Sequence, residues 1–168
     1  MTGTTTALLR HFADLRDGTH GHAPAPHERD RAAKERLFEG TAGLLDGYAR
    51  AALIEINTAL LLDTGLISTT GVRRDEDGGL EARWELTWPE QRDAGVDPIR
   101  LHAHYGAAFH HPHLRGATVG DWPLNVFTDE QAAEELPVLR AIAAADLHNL
   151  VFRCDYRIVP AVVEGSER

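Results

Sequence analysis

The sequence predicts an α+β fold: N-terminal helices, then an antiparallel sheet of about four strands with a C-terminal helix packed on it. Three observations carry that expectation. Apolar residues recur at three- and four-residue steps in two early stretches, Leu8 to Leu15 and Leu37 to Ala52, as in helices with one buried face. Two later stretches, 80–88 and 98–105, alternate apolar and polar residues, the period of a half-buried strand. A helical pattern then returns behind Thr128, with Gln131 three residues on as in a capping box. At 168 residues and 43% hydrophobic composition the chain suits a single domain, 1–168, with one core.

Taken in order, Leu8, Leu9, Phe12 and Leu15 predict a first helix from about Thr6 to Leu15, stopped by Asp17-Gly18. Residues 17–27, which contain THGHAPAPH, read as a flexible loop because glycine and alternating prolines sustain neither helix nor sheet. A second helix starts near Glu28, and Gly40, Gly43 and Gly47 predict a break or bend in it, each costing about 1 kcal/mol against alanine. Residues 51–62 suit either a buried helix or a strand. Beyond Gly65 the grammar turns to strands: Thr69 and Thr70, the polar turn RRDEDGG, then LEARWELTW. Pro89 to Asp97 reads as a loop and Pro98 to Tyr105 as a strand. After the Thr128 helix, which Pro137 is expected to restart, Leu150 to Val159 reads as a last strand with Phe152, Cys154, Tyr156 and Ile158 on one face. On that reading Cys154 is a buried small hydrophobe, and 162–168 is a disordered tail.

Seventeen Lys and Arg against twenty-six Asp and Glu give a net charge of −9. Such a surface repels nucleic acid and anionic membranes unless a basic patch intervenes, so neither is expected as a partner. No apolar run reaches the ~18 residues that a membrane-spanning helix needs. One cysteine excludes an internal disulfide and fits a reducing compartment. The expectation is a soluble, cytoplasmic protein acting on a small molecule, with homo-oligomerisation left open.

Five of the ten histidines fall between 102 and 113, in HAHYGAAFHHPH. An H-x-H pair on a strand puts both imidazoles on one face, about 7 Å apart at the backbone. Two such rings can converge on one ion, with the third ligand supplied by a neighbouring element. His102, His104 and His113 are therefore the candidate metal ligands, with Glu85 as a carboxylate in reach if its strand pairs alongside. Two histidines and a carboxylate suit Fe(II), whereas three histidines suit zinc, copper or iron. The expected activity is that of a small metal-dependent enzyme, first choice a mononuclear non-haem iron oxygenase for a small, aromatic molecule. His111, Tyr105 and Arg115 are the candidate catalytic groups: an imidazole base, a ring for stacking and a guanidinium to hold a carboxylate. Two other readings compete. In one the histidines merely pack within a binding or scaffold module; in the other a metal-free enzyme uses an imidazole as general base. Asp121-Trp122-Pro123, behind Gly116 and Gly120, is read as a pocket lining or a tryptophan-anchored turn. His148 near a helix end, and His20 and His22 in the loop, are given no catalytic role.

The order WELTWPE, PIRLHAHYG, HHPHLRG, DWPL and ELPVLRAIAAADL resembles that of ubiquitin-conjugating enzymes over about sixty residues, Trp84 to Leu147. That family places its catalytic cysteine several residues after the histidine-containing motif, and Thr118 to Trp122 holds none. The resemblance therefore implies a catalytically silent, ubiquitin-conjugating-like domain.

Overall fold

The structure is a computed structural model that describes residues 3–17 and 30–165. It shows the α+β arrangement: helices α1 (Gly3–Asp17) and α2 (Arg31–Leu60), an antiparallel sheet, and helix α4 (Asp129–Arg153) packed on that sheet. The strands are β1 (Leu66–Thr69), β2 (Arg73–Arg74), β3 (Leu80–Thr87), β4 (Ile99–Tyr105), β5 (His113–Arg115) and β6 (Trp122–Pro123). Their order is β1-β3-β4-β5-β6, with β2 also on β3, so the sheet is larger than the four strands expected. Short helices α3 (Pro89–Ala94) and α5 (Pro160–Gly165) complete the chain.

Binary patterning decides which face of the sheet is buried. Leu80, Ala82, Trp84 and Leu86 of β3 lie with Ile99, Leu101, Ala103 and Tyr105 of β4 in the core, against α2 and α4. Register therefore puts Glu81, Arg83 and Glu85 beside His104, His102 and Arg100 on the opposite, polar face. β5 joins the other side of β4, placing His113 across from His104 and Arg115 across from His102.

Five expectations are corrected by packing. The second helix does not break at its glycines: α2 runs unbroken for 30 residues, and residues 51–60 belong to it. Gly40, Gly43 and Gly47 are all exposed, while Phe38, Leu45, Ala49 and Leu53 on the other side are buried, and tertiary packing outweighs the propensity cost. Pro137 likewise sits inside α4 rather than restarting it. Its side and that of Ala133 face solvent, where the carbonyl left without a donor meets water. Pro89 to Ala94 is helical, with Pro at its start and Gly95 in the left-handed region at φ 67° behind it. The predicted last strand is absent: α4 continues to Arg153, a 3-10 turn follows at Tyr156–Ile158, and Phe152 is 79% exposed. Cys154 is exposed too, contrary to its reading as a core residue. Of that predicted face only Ile158 is buried, and its carbonyl accepts a 2.6 Å hydrogen bond from the Trp88 indole.

The loop expected at 17–27 lies outside the described residues apart from Asp17, which ends α1. Of the tail expected at 162–168, residues 162–165 are helical and 166–168 lie outside the described residues.

Candidate functional site: the polar face of the sheet

The histidine turn is fastened from behind by the start of α2. Arg31 stacks over the Tyr105 ring, 3.6 Å from its centroid, and donates to the carbonyls of Tyr105 and Gly106, both at 3.0 Å. Lys34 donates to the carbonyl of His110. These contacts explain Tyr105, which lies on the core side, 1% exposed and under a guanidinium. Burial raises its phenol above the ordinary range.

On the polar side the imidazoles do gather, as the H-x-H spacing predicts. Ring centroids of His102 and His104 are 5.2 Å apart, those of His104 and His113 5.7 Å, and those of His113 and His111 4.4 Å. His11 of α1 extends the row, 5.2 Å from His111. Their nitrogens, however, turn to different partners. Arg115 donates from Nε to Nδ1 of His102 at 3.0 Å, while Nε2 of His102 lies 2.9 Å from Oε2 of Glu81, off the line of a good hydrogen bond. A guanidinium cannot accept, so Nδ1 of His102 is unprotonated and the ring is the neutral Nε2–H tautomer. Burial, with the nearby charge of Arg115, lowers the His102 pKa to about 4, against the pull of Glu81. His104 meets Oδ1 of Asp121 through Nε2 at 3.1 Å, and burial nevertheless holds its pKa below the usual imidazole value.

Glu81 organises this surface. Burial would raise its pKa, but hydrogen bonds from Arg73 (2.8 Å) and Arg83 (2.8 Å) outweigh it and keep the carboxyl below its ordinary range. Glu85, the carboxylate expected among the histidines, instead pairs with Arg100 at 2.6 Å. Glu81 is the carboxylate that reaches them. It lies on the same face by the same alternation, so the residue type was legible; the register that selects Glu81 over Glu85 was not. Among the described residues no three His, Cys, Asp or Glu side chains come together in a way that could hold a metal ion. Ligation by His102 would require giving up its contacts with Arg115 and Glu81.

Beside this network an open cleft of about 450 Å³ is lined by Arg83, Arg100, Arg115, Arg153, His102, Asp121 and the loop 116–120. The loop is shaped by Asp146 of α4, which is fully buried and accepts from the backbone N–H of Arg100, Ala117 and Thr118 and from the Thr118 hydroxyl. The fit leaves no space at Gly116, where an added Cβ would lie 2.5 Å from Oδ1 of Asp146. Asn149 donates to the Thr118 hydroxyl, fastening the loop a second time. Within the cleft Glu81 and Glu85 neutralise Arg83 and Arg100. Among the described residues no carboxylate pairs with Arg115 or Arg153.

The cleft is thus a cationic concavity on a chain of net charge −9. Sequence reading singled out Arg115 but missed Arg83, Arg100, Arg153 and Asp146, which register and tertiary packing bring to it from three different elements. His111 stands outside the cleft, between His11 and His113. Among the described residues no helix is long and apolar enough to cross a membrane. No protein-family model, no curated protein and no solved structure matches the chain.

Proposed function

We propose that this chain is a binding module for a small anionic ligand, held in the arginine-lined cleft. The observation that carries this reading is Arg115. It spends Nε on a neutral imidazole and forms no ion pair with a carboxylate, so its guanidinium lines the cleft with its charge only partly offset, at a distance, by Asp121. Arg153, likewise without an acid partner, supplies a second donor group at the same cleft. A planar fork of N–H donors matches carboxylate and phosphate oxygens, which favours these two classes of anion.

Binding is favoured over catalysis by the state of the groups lining the site. His102 has its Nδ1 lone pair occupied by Arg115, and the Thr118 hydroxyl donates to Asp146 and accepts from Asn149. Neither is poised to take a proton or attack a substrate. The arrangement therefore supports the binding-module reading of the sequence over the general-base and iron-oxygenase readings.

Isothermal titration with inorganic phosphate and with citrate tests the proposal. The expected result is saturable binding that weakens as salt rises. Arg115→Met and Arg153→Met should each weaken it about 10- to 100-fold, the effect of losing a charge-assisted hydrogen bond, with the circular dichroism unchanged. Heat-free titrations for both anions at millimolar concentration would overturn the reading. Saturable Fe(II) binding that Arg115→Met leaves intact would instead favour a metal-dependent activity.

A further inference from the structure

A second polar cluster lies away from the cleft, where α1 packs on α4. Glu135 of α4 is 1% exposed, and its Oε2 has no hydrogen-bond partner. Arg10 of α1 reaches toward it, yet its Nη1 makes only a long 3.5 Å contact with Glu134, and its Nε and Nη2 are buried without a partner. A buried carboxyl and a partly buried guanidinium therefore share one seam without forming a close pair. Leaving an ionised carboxyl in such a place is costly, and the group escapes the cost by taking up a proton.

We propose that docking of α1 on α4 is proton-linked: α1 seats on a protonated Glu135 and is loosened when that carboxyl ionises. The surroundings support this. From α1 the carboxyl is faced by Arg10, which favours its ionised form, and from its own helix by Glu134, which opposes it. The core that α2 and the sheet share with α4 is apolar, with Phe38, Leu45, Leu114 and Leu124 among its members. Burial dominates and raises the Glu135 pKa from 4.5 to about 7. Beside the seam, His11 of α1 packs on His111 of the histidine turn, their ring centroids 5.2 Å apart.

The direction follows from linkage. Docking raises the pKa of Glu135, so the docked form holds a proton between about pH 4.5 and 7 that the undocked form has released. Docking is strongest at the acid end of that interval and is lost as pH rises through 7. Between pH 6 and pH 8 the docking constant should fall about tenfold.

Hydrogen exchange of the α1 amides, normalised to those of α2 in the same molecule, measures this. In the unmodified chain α1 protection should fall about tenfold from pH 6 to pH 8. Glu135→Gln, neutral at every pH, should abolish that fall, while any contribution of His11 and His111 is common to both proteins and cancels in their difference. A second measurement needs no variant: the 13C carboxyl resonance of Glu135 should titrate near 7. Protection that is level across this range, a fall of equal size in Glu135→Gln, or a carboxyl midpoint in the ordinary range near 4.3 would each overturn the proposal.

Discussion

The polar face of the sheet and the seam between α1 and α4 both bury carboxylates, and they treat them in opposite ways. On the sheet, Glu81 is 4% exposed but receives hydrogen bonds from two guanidiniums, and its pKa falls. In the seam, Glu135 is buried as deeply, its Oε2 meets no donor, and its pKa rises. Burial pushes the two carboxyls the same way; hydrogen-bond donors at contact distance decide the sign of the outcome. Depth alone says little about a charged group's contribution until its partners are counted.

The sharpest way to break that comparison is to neutralise each carboxylate in turn. Glu81→Ala removes the shared acceptor of Arg73 and Arg83, which are 50% and 29% exposed and stay solvated, and should cost about 1–2 kcal/mol for the lost charge-assisted hydrogen bonds. Glu135→Gln at pH 8 should instead stabilise the protein by up to about 3 kcal/mol, the equivalent of its shift from 4.5 to about 7. Below pH 4.5, where Glu135 is protonated in both folded and unfolded chains, that gain should vanish. Urea denaturation of both variants at pH 8 and of Glu135→Gln at pH 4.5 checks the signs. Two losses of similar size at pH 8 would mean that Arg10 compensates Glu135 after all.

A further effect sharpens the sheet's side of the comparison. The pKa of His102 is lowered to about 4 in the folded protein, so the unfolded chain takes up a proton first as the solution is acidified. Stability should therefore be lost between about pH 6.5 and 4, by up to about 3 kcal/mol and less where the network relaxes to admit charge. In His102→Gln this acid limb should flatten, while stability above pH 7 drops by only about 1 kcal/mol for the lost Arg115 hydrogen bond. An unchanged acid limb would assign it to His104 or to the carboxylates.

How much of this was legible in sequence differs along the same line. The α+β order and the inward faces of β3 and β4 followed from hydrophobic period alone, because burying one face of a strand leaves little freedom. The gathering of His102, His104 and His113 was legible for the same reason. Their partners were not: whether Glu81 or Glu85 stands beside an imidazole depends on a register that no local pattern encodes. The cleft was harder still, since Arg153 lies on a last turn of α4 that local signals assigned to a strand, and only tertiary packing shows that Asp146 of the same helix shapes the loop 116–120. Glu135 gave no signal at all. A glutamate within EQAAEEL reads as a solvated helix face, and only tertiary packing reveals that this one is enclosed.

The smallest predicted effect lies at Cys154, where alternation with Phe152, Tyr156 and Ile158 suggested a buried strand. The residue instead caps α4, its backbone N–H donating to the carbonyl of Leu150 while the side chain is exposed. That hydrogen bond belongs to the backbone and survives substitution. Cys154→Ser should therefore change stability by less than about 0.5 kcal/mol, the range of surface substitutions without a special contact. Val159→Ala, five residues on at a position only 5% exposed, should cost several times more, because it removes buried methyl groups. If thermal melts instead ranked Cys154→Ser as the costlier change, the end of α4 would be packed against something in solution. The exposed Phe152 beside it would then be the first residue to examine.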